Sequence, residues 1–312
     1  MLLFRHLQAV PFSNVEVGSV VTIGSFDGLH LGHQDLLNRL KKEAKTRRLP
    51  SILMSFEPTP KEFFLSNNPP ARLMRFGEKF EALRASGIDI FFCPRFDSLM
   101  QSISADTFIR QILIHALNVK CLIIGDDFRF ARDRQGDVNL LRQTGKSLGF
   151  DLIQAPSVEI EGTRISSSKI REALLDGNLE FASTLLGRPY RMSGRVIKGR
   201  QVGIELGYPT ANINLNRKQS SVNGIFAVRV CSENWGPFNA VASIGTRPTF
   251  GELKPILEVH IFDFNKNIYG EYIHVDFLSR LRDEEKFENG DMLIDQVNKD
   301  SALARKILAE SK

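Results

Sequence analysis

Apolar residues in the first half of the chain gather into short, uninterrupted runs. SVVTI (19–23), SILMSF (51–56), DIFFCP (89–94), CLIIG (121–125) and DLIQAP (151–156) are largely apolar on both faces, as expected of strands in a parallel sheet covered on each side. Between them the period changes. In HQDLLNRLKKEAKTRR, Leu36, Leu37, Leu40 and Ala44 form one stripe while Lys and Arg fill the other side, the pattern of an amphipathic helix. FGEKFEALRASG carries Phe76, Phe80 and Leu83 on a stripe and stops at Gly87, a residue suited to a helix C-cap. SADTFIRQILIHAL and QGDVNLLRQTGKSLG continue the alternation. Repeated β-α units predict a doubly wound α/β domain that binds ligands at the carboxyl ends of its strands.

After residue 186 the texture changes. GRPY (187–190) reads as a linker-like break. RMSGRVI, TANINL, GIFAVRV, NAVASIG, ILEVHIF and YIHVDF follow with turn signals between them, predicting an antiparallel six-stranded barrel. GDMLIDQVNKDSALARKIL predicts a terminal helix over one opening. The expected fold class is therefore α/β plus β, with domains over residues 1–186 and 187–312.

Composition narrows the setting. The three cysteines, Cys93, Cys121 and Cys231, are odd in number and far apart, which argues against a disulfide framework or a zinc spacing and for a reducing, cytoplasmic setting. MLLF is cut short by Arg5 and His6, too early for a signal sequence. No apolar run is long enough to span a bilayer, so no membrane partner is expected. A net charge of +5 is too mild to choose between nucleic acid and an anionic small ligand. The barrel strands lack a repeated exposed-aromatic pattern for stacking bases, so no nucleic-acid partner is expected. A homo-oligomer is compatible with the sequence.

Two stretches carry candidate chemistry in the first half. GSFDGLHLGH (24–33) lies where the first run hands over to a helix. His30 and His33 could begin a metal site, but a further ligand is wanting, and a glycine-bracketed turn offers little core to join. A phosphate reading explains more. Gly24, Gly28 and Gly32 let the backbone turn tightly, a helix N-terminus favours an anion, and two imidazoles can donate to phosphate oxygens. In RISSSKIREALLDG (164–177), Ser166, Ser167 and Ser168 are N-cap candidates. Lys169 and Arg171 fall in the first turn, where cations oppose the helix dipole unless an anion binds there.

The second half has its own candidates. GRQVGIELGYPTANINL (199–215) is a glycine-punctuated loop running into a strand. Thr210 and Asn212, two apart, are expected to face one way and to offer hard oxygen ligands for Mg²⁺ with nucleotide phosphates. In ILEVHIF, Leu257, Val259 and Ile261 share one face, Glu258 and His260 the other.

GSFDGLHLGH together with ISSSKIR resembles the HIGH-type nucleotidylyltransferases. With SFEPTPKEFF and GDDFRF, the first half looks like the FMN adenylyltransferase (FAD synthetase) module of bacterial bifunctional riboflavin kinase/FAD synthetases. GYPTAN, GIFAV, SIGTRPTFGE, LEVHIFDF and YIHVDFLSRLRDEEKF resemble the riboflavin kinase module of the same enzymes. The resemblance implies ATP, riboflavin, FMN and FAD as substrates and products, with Mg²⁺ carried by ATP. It implies that His30 and His33 bind and polarise ATP phosphates. Ser167, Ser168 and Arg171 would hold the leaving pyrophosphate. Gly24, Phe26, Asp27, Gly32 and Asp127 would line the nucleotide, with Asp127 standing where some members carry Asn and Ala131 where Gly is usual. Phe56, Pro58 and Pro60 would lie at the flavin end. In the second module it implies Gly199, Gly207, Thr210 and Asn212 around Mg-ATP, with Ile204 replacing a common basic residue. Glu258 would be the base toward the ribityl 5′-hydroxyl, and Arg282 would order a loop over flavin or lie on a solvated helix face. The rival readings are a nucleotidylyltransferase with another acceptor and an RNA-binding protein.

Overall fold

SVVTI becomes the central strand of the first sheet because every residue in it is buried. The computed structural model describes residues 1–6, 11–199, 207–249 and 252–310. The chain folds as two compact units, Met1–Pro70 with Met74–Ser166, and Ala71–Leu73 with Ser167–Lys312.

The first unit holds a six-stranded parallel sheet in the order β1-β4-β3-β2-β5-β6. Its strands are β1 (Leu2–Phe4), β2 (Ser19–Ile23), β3 (Ser51–Met54), β4 (Ile90–Phe92), β5 (Val119–Gly125) and β6 (Asp151–Ala155). Alternate residues feed two cores. Val20, Leu53, Phe91, Cys121 and Ile123 pack with Leu37 and Leu40 of α1 (Leu31–Arg47) and Leu83 of α3 (Phe76–Ala85). Val21, Ile52, Met54, Phe92 and Leu122 pack with Phe108 and Ile112, which follow the short helices α4 (Ser98–Ser102) and α5 (Ala105–Thr107), and with Leu141 of α6 (Val138–Leu148). Both faces are thus covered, as the uninterrupted apolar runs require. The chain leaves β2 for β3 on one side and returns to β5 on the other. The carboxyl end of β2 is therefore the topological switch point where such sheets take ligands.

Two details differ from the sequence pattern. Phe108–Ala116, read as an ordinary helix, is a π-helix. In α3 the residues Glu78 and Lys79 are buried more deeply than Phe76 and Phe80 of the predicted stripe.

In the second unit, six antiparallel strands close a barrel in the order β10-β13-β12-β11-β14-β9. They are β9 (Tyr190–Ile197), β10 (Ala211–Asn214), β11 (Gly224–Ser232), β12 (Phe238–Thr249), β13 (Glu252–Ile261) and β14 (Tyr272–Arg282), following a short hairpin of β7 (Glu159–Ile160) and β8 (Thr163–Arg164) in the first unit. Phe226, Val228, Ala242, Ile244, Leu257, Val259, Val275 and Phe277 are at most 1% exposed and fill it. The last helix (Gly290–Glu310) lies against the outer wall instead of covering an opening. Ala304 and Leu308 pack on Ala227 and Val241, residues of opposite parity to the barrel interior. Two further helices, α7 (Ser167–Leu175) and α8 (Leu179–Leu186), belong to this unit, α8 packing on β9 and β14.

Candidate functional site

At the end of β2 the chain makes a tight turn into α1. Phe26 and Leu29 have φ of +48° and +44°, and Gly28 has +84°. Two non-glycine residues held at positive φ indicate a turn over-determined by its surroundings. Phe26 is fully buried, and the Asp27 carboxylate accepts from the Met74 N–H at 3.0 Å. His30 is the N-cap of α1, its Nδ1 accepting from the His33 N–H at 3.3 Å. In a neutral ring this leaves the proton on Nε2, so His30 presents a donor. The two imidazoles stack with centroids 3.6 Å apart, and His33 also meets the Phe26 ring at 4.9 Å. A side chain at position 32 would press on the His30 ring at 3.3 Å, so glycine lets the ring lie this close without displacement.

Both rings are held neutral. Burial pushes His30 down to about 4, against the opposing pull of Asp27. Burial also lowers His33, helped by the Lys79 ammonium and by repulsion from His30 whenever that ring takes up a proton. The Nδ1 of His33 is buried and meets no hydrogen-bonding group among the described residues. Such an atom, at a helix N-terminus and a switch point, is suited to a polar ligand.

Around this turn lie the other residues expected in the first unit. At the end of β5, Asp127 is exposed and pairs with Arg164 at 2.8 Å, while Asp126 accepts from Ser157 and Arg164. At the end of β3, Phe56 begins a segment with Pro58 and with Pro60, the first residue of α2 (Pro60–Phe64). Thr59 caps α2 in a reciprocal box with Glu62. Phe56, Phe63 and Phe64 all meet Phe96 edge-on, at 5.3 to 5.9 Å. Phe64 remains 60% exposed. This aromatic group was only partly legible, because Phe96 reaches it from a distant part of the sequence.

Ala131 sits at φ +63°, ψ −174°, a conformation nearly exclusive to glycine. Replacing it by glycine is expected to stabilise the first unit by about 1 kcal/mol, the relieved strain outweighing glycine's greater chain entropy. Thermal unfolding of Ala131→Gly against the parent checks this; an unchanged or lower midpoint would show that the loop stores no strain.

ISSSKIR opens α7 in the second unit. Arg171 Nε donates to the Ala71 carbonyl at 2.5 Å, and Lys169 pairs with Glu172 at 3.0 Å. Ser168 is exposed and Ser167 half-buried.

On the barrel, Glu258 of β13 stands directly opposite Asn212 of β10 and Ser243 of β12. Leu257, Val259 and Ile261 turn inward and are buried, so Glu258 and His260 lie on the outward face, as their alternation predicts. Thr210 falls one residue before β10, outside the strand expected for it, because the ladder begins at Ala211↔Val259. It lines a cavity of about 310 Å³ with Val196, Val259, Ile268 and Tyr269. His260 fixes the approach to it. Its Nδ1 lies 2.9 Å from the Pro209 carbonyl, and since a carbonyl only accepts, Nδ1 carries the proton. A Cβ at Gly199 would collide with the Asn212 amide, so the backbone there lies directly on that side chain. Gly207 has φ +83°. Ile204 and the rest of 200–206 lie outside the described residues.

Arg282 grips Asp300 of the last helix, Nε and Nη2 donating to its carboxylate at 2.8 to 3.1 Å. Asp300 is buried and also accepts from Gln296. The guanidinium thus anchors the helix to the end of β14.

Comparison with known proteins is consistent across the chain. The FAD synthetase family matches residues 13–169 and the riboflavin kinase family residues 186–308. A bifunctional riboflavin kinase/FMN adenylyltransferase of Haemophilus influenzae is 43% identical over 305 residues, covering 98% of each chain. That of Escherichia coli is 42% identical over 295 residues, covering 95% of this chain and 94% of its own. A crystal structure from Streptococcus pneumoniae, described as a macrolide-efflux protein, superposes with a TM-score of 0.82 at 32% identity. It covers 97% of this chain and 98% of its own. Among the described residues here, no helix is long and apolar enough to cross a membrane.

Proposed function

This chain belongs to the bifunctional riboflavin kinase/FMN adenylyltransferase family, and from that premise we propose which residues carry each reaction. The enzyme phosphorylates riboflavin to FMN and adenylylates FMN to FAD, consuming ATP in both steps. We assign adenylyl transfer to residues 1–186 and phosphorylation to 187–312, with the soluble cytoplasm as the setting.

In adenylyl transfer a phosphate oxygen of FMN attacks the α-phosphorus of ATP, and the bond from that phosphorus to the β-phosphate bridge breaks. Charge grows on the leaving pyrophosphate and on the α-phosphoryl oxygens. His30 and His33 are neutral donors aimed at that charge, and no covalent intermediate is needed. The observation that carries this assignment is the stacked, neutral pair at the N-terminus of α1, with the His33 Nδ1 buried and open. Gly24, Phe26, Asp27 and Gly32 shape the turn under the phosphates. Asp127 stands at the nucleotide end and Phe56, Pro58 and Pro60 at the flavin end, where Phe64 offers an exposed ring for the isoalloxazine. Ser167, Ser168 and Arg171 are assigned to pyrophosphate on their motif alone.

In phosphorylation the ribityl 5′-hydroxyl attacks the γ-phosphorus, ADP leaves, and the hydroxyl proton passes to Glu258. The cavity beside Thr210, lined by Ile268 and Tyr269 as well as by Lys266 and Asn267, is assigned to the nucleobase, with the phosphates running past Thr210 and Asn212 toward Glu258. The hydroxyl of Thr210 and the amide oxygen of Asn212 are hard donors, and the close backbone at Gly199 orients the amide; they fit Mg²⁺ carried by ATP. When bound, the ion neutralises phosphate charge. Gly199 and Gly207 leave room for the nucleotide, and Arg282 supports the flavin side by anchoring the last helix.

Incubation with riboflavin, ATP and Mg²⁺ is expected to give FMN and then FAD with pyrophosphate, resolved by chromatography. Excess chelator is expected to stop both steps and added Mg²⁺ to restore them. Turnover unaffected by chelation would remove the metal from the reading.

A further inference from the structure

Lys79 has no part in the roles assigned above, and its surroundings are unusual for a lysine. It projects from α3 and is 4% exposed, whereas lysine is almost never so enclosed unless its charge is engaged. Its ammonium donates to the Ser25 carbonyl at 2.7 Å, and Ser55 Oγ donates to the same oxygen at 3.3 Å. That carbonyl belongs to the turn between β2 and α1, just before Phe26 with its φ of +48°. In a trans peptide the C=O and N–H point in opposite directions. Drawing the Ser25 carbonyl onto a buried ammonium therefore turns the Phe26 N–H the other way, away from α3. The same ammonium acts through space on His33.

We propose that Lys79 is a positioning residue for adenylyl transfer: it holds the Ser25–Phe26 peptide with its N–H toward the ATP phosphates and supplies a positive charge beside the His30–His33 pair. The inference rests on the assignment of that pair to ATP. A buried lysine costs solvation, and an apolar side chain of similar length would fill the same space. The retained charge makes sense where a polyanion must bind while both neighbouring histidines stay neutral. Among the described residues, the charged and titratable groups that shift the pair are Asp27 from the turn, the two histidines on each other, and Lys79 from α3.

The test follows FMN and ATP conversion to FAD in the full chain. Lys79→Met is expected to lower kcat roughly 10- to 100-fold, as for residues that orient a contact group, with the KM for FMN little changed. Its acid limb should move to higher pH, because losing a neighbouring positive charge makes His33 easier to protonate. Lys79→Arg, which keeps the charge and can reach the same carbonyl, should recover most of the rate and the parent pH profile. Should the Met variant fail to fold, Lys79→Gln keeps a donor without charge and carries the same pH expectation. A parent-like rate and pH profile in the charge-removing variant would overturn the proposal, as would a folded but inactive Lys79→Arg. His33→Ala, run alongside, separates the two levels. If it makes FAD normally, the site assignment fails; if it does not while Lys79→Met is unaffected, only the role of Lys79 falls.

Discussion

His33→Ala is expected to stop the protein at FMN. Supplied with riboflavin, ATP and Mg²⁺, the variant is expected to accumulate FMN at the parent rate and to form FAD on the order of 10²- to 10³-fold more slowly, the usual cost of losing a preorganised donor at developing charge. Thr210, Asn212 and Glu258, to which the kinase step is assigned, belong to a different compact unit, so the first step has no reason to change. The side chain lost is half-buried, and removing it also removes the ring stacked on His30 at 3.6 Å. pH gives a second readout. An unfolded imidazole titrates near about 6.5, whereas folding holds His30 at about 4 and His33 below its ordinary value. As pH falls from about 6.5 toward 4, the unfolded chain takes up protons that the folded chain refuses, so stability declines through that window. His33→Ala should lose less stability there than the parent. Parent-like FAD synthesis would remove His33 from the adenylyl-transfer site.

The parts of this protein that were legible in sequence are those fixed by period. β2, β3, β4 and the CLII core of β5 announced themselves because a strand covered on both faces must be apolar, whereas β6, at the sheet edge with Asp151 and Gln154 exposed, showed only a short apolar run. The barrel strands did so by alternation, which also put Glu258 and His260 on the face opposite Leu257, Val259 and Ile261. β1 escaped because Leu2–Phe4 is three residues long, too short for any period, and it forms only by pairing with β4. Lys79 escaped for the opposite reason: the helical stripe read from Phe76, Phe80 and Leu83 is real, but tertiary packing turned a charged position inward as well. The same limit explains His260 and Phe96. Each acts through a partner far away in sequence, Pro209 for one and Phe56, Phe63 and Phe64 for the other. The histidine pair was legible because its chemistry is local, with the turn, the cap and both rings lying within ten residues of one another.

Glu258→Gln separates the two activities from the other side. The amide keeps the size and shape of the carboxylate on β13, opposite Asn212 and Ser243, but cannot take a proton. A primary alcohol is a poor nucleophile unless its proton leaves as the phosphoryl group arrives. Losing the base should therefore lower the kcat for riboflavin phosphorylation by about 10²- to 10⁴-fold. The KM for ATP should hold, because Thr210, Asn212 and the cavity assigned to the nucleobase are untouched. Supplied FMN should still become FAD at the parent rate, since His30 and His33 lie in the first unit. With riboflavin as the only flavin, neither product accumulates; with FMN, FAD does. Two alternatives give different results. If Glu258 were only a solvent-facing residue on an amphipathic strand, the variant would phosphorylate riboflavin normally. If it only held the ribityl chain, the KM for riboflavin would rise with kcat retained. A fall in kcat at saturating riboflavin, with FMN adenylylation intact in the same preparation, is the outcome that identifies Glu258 as the base.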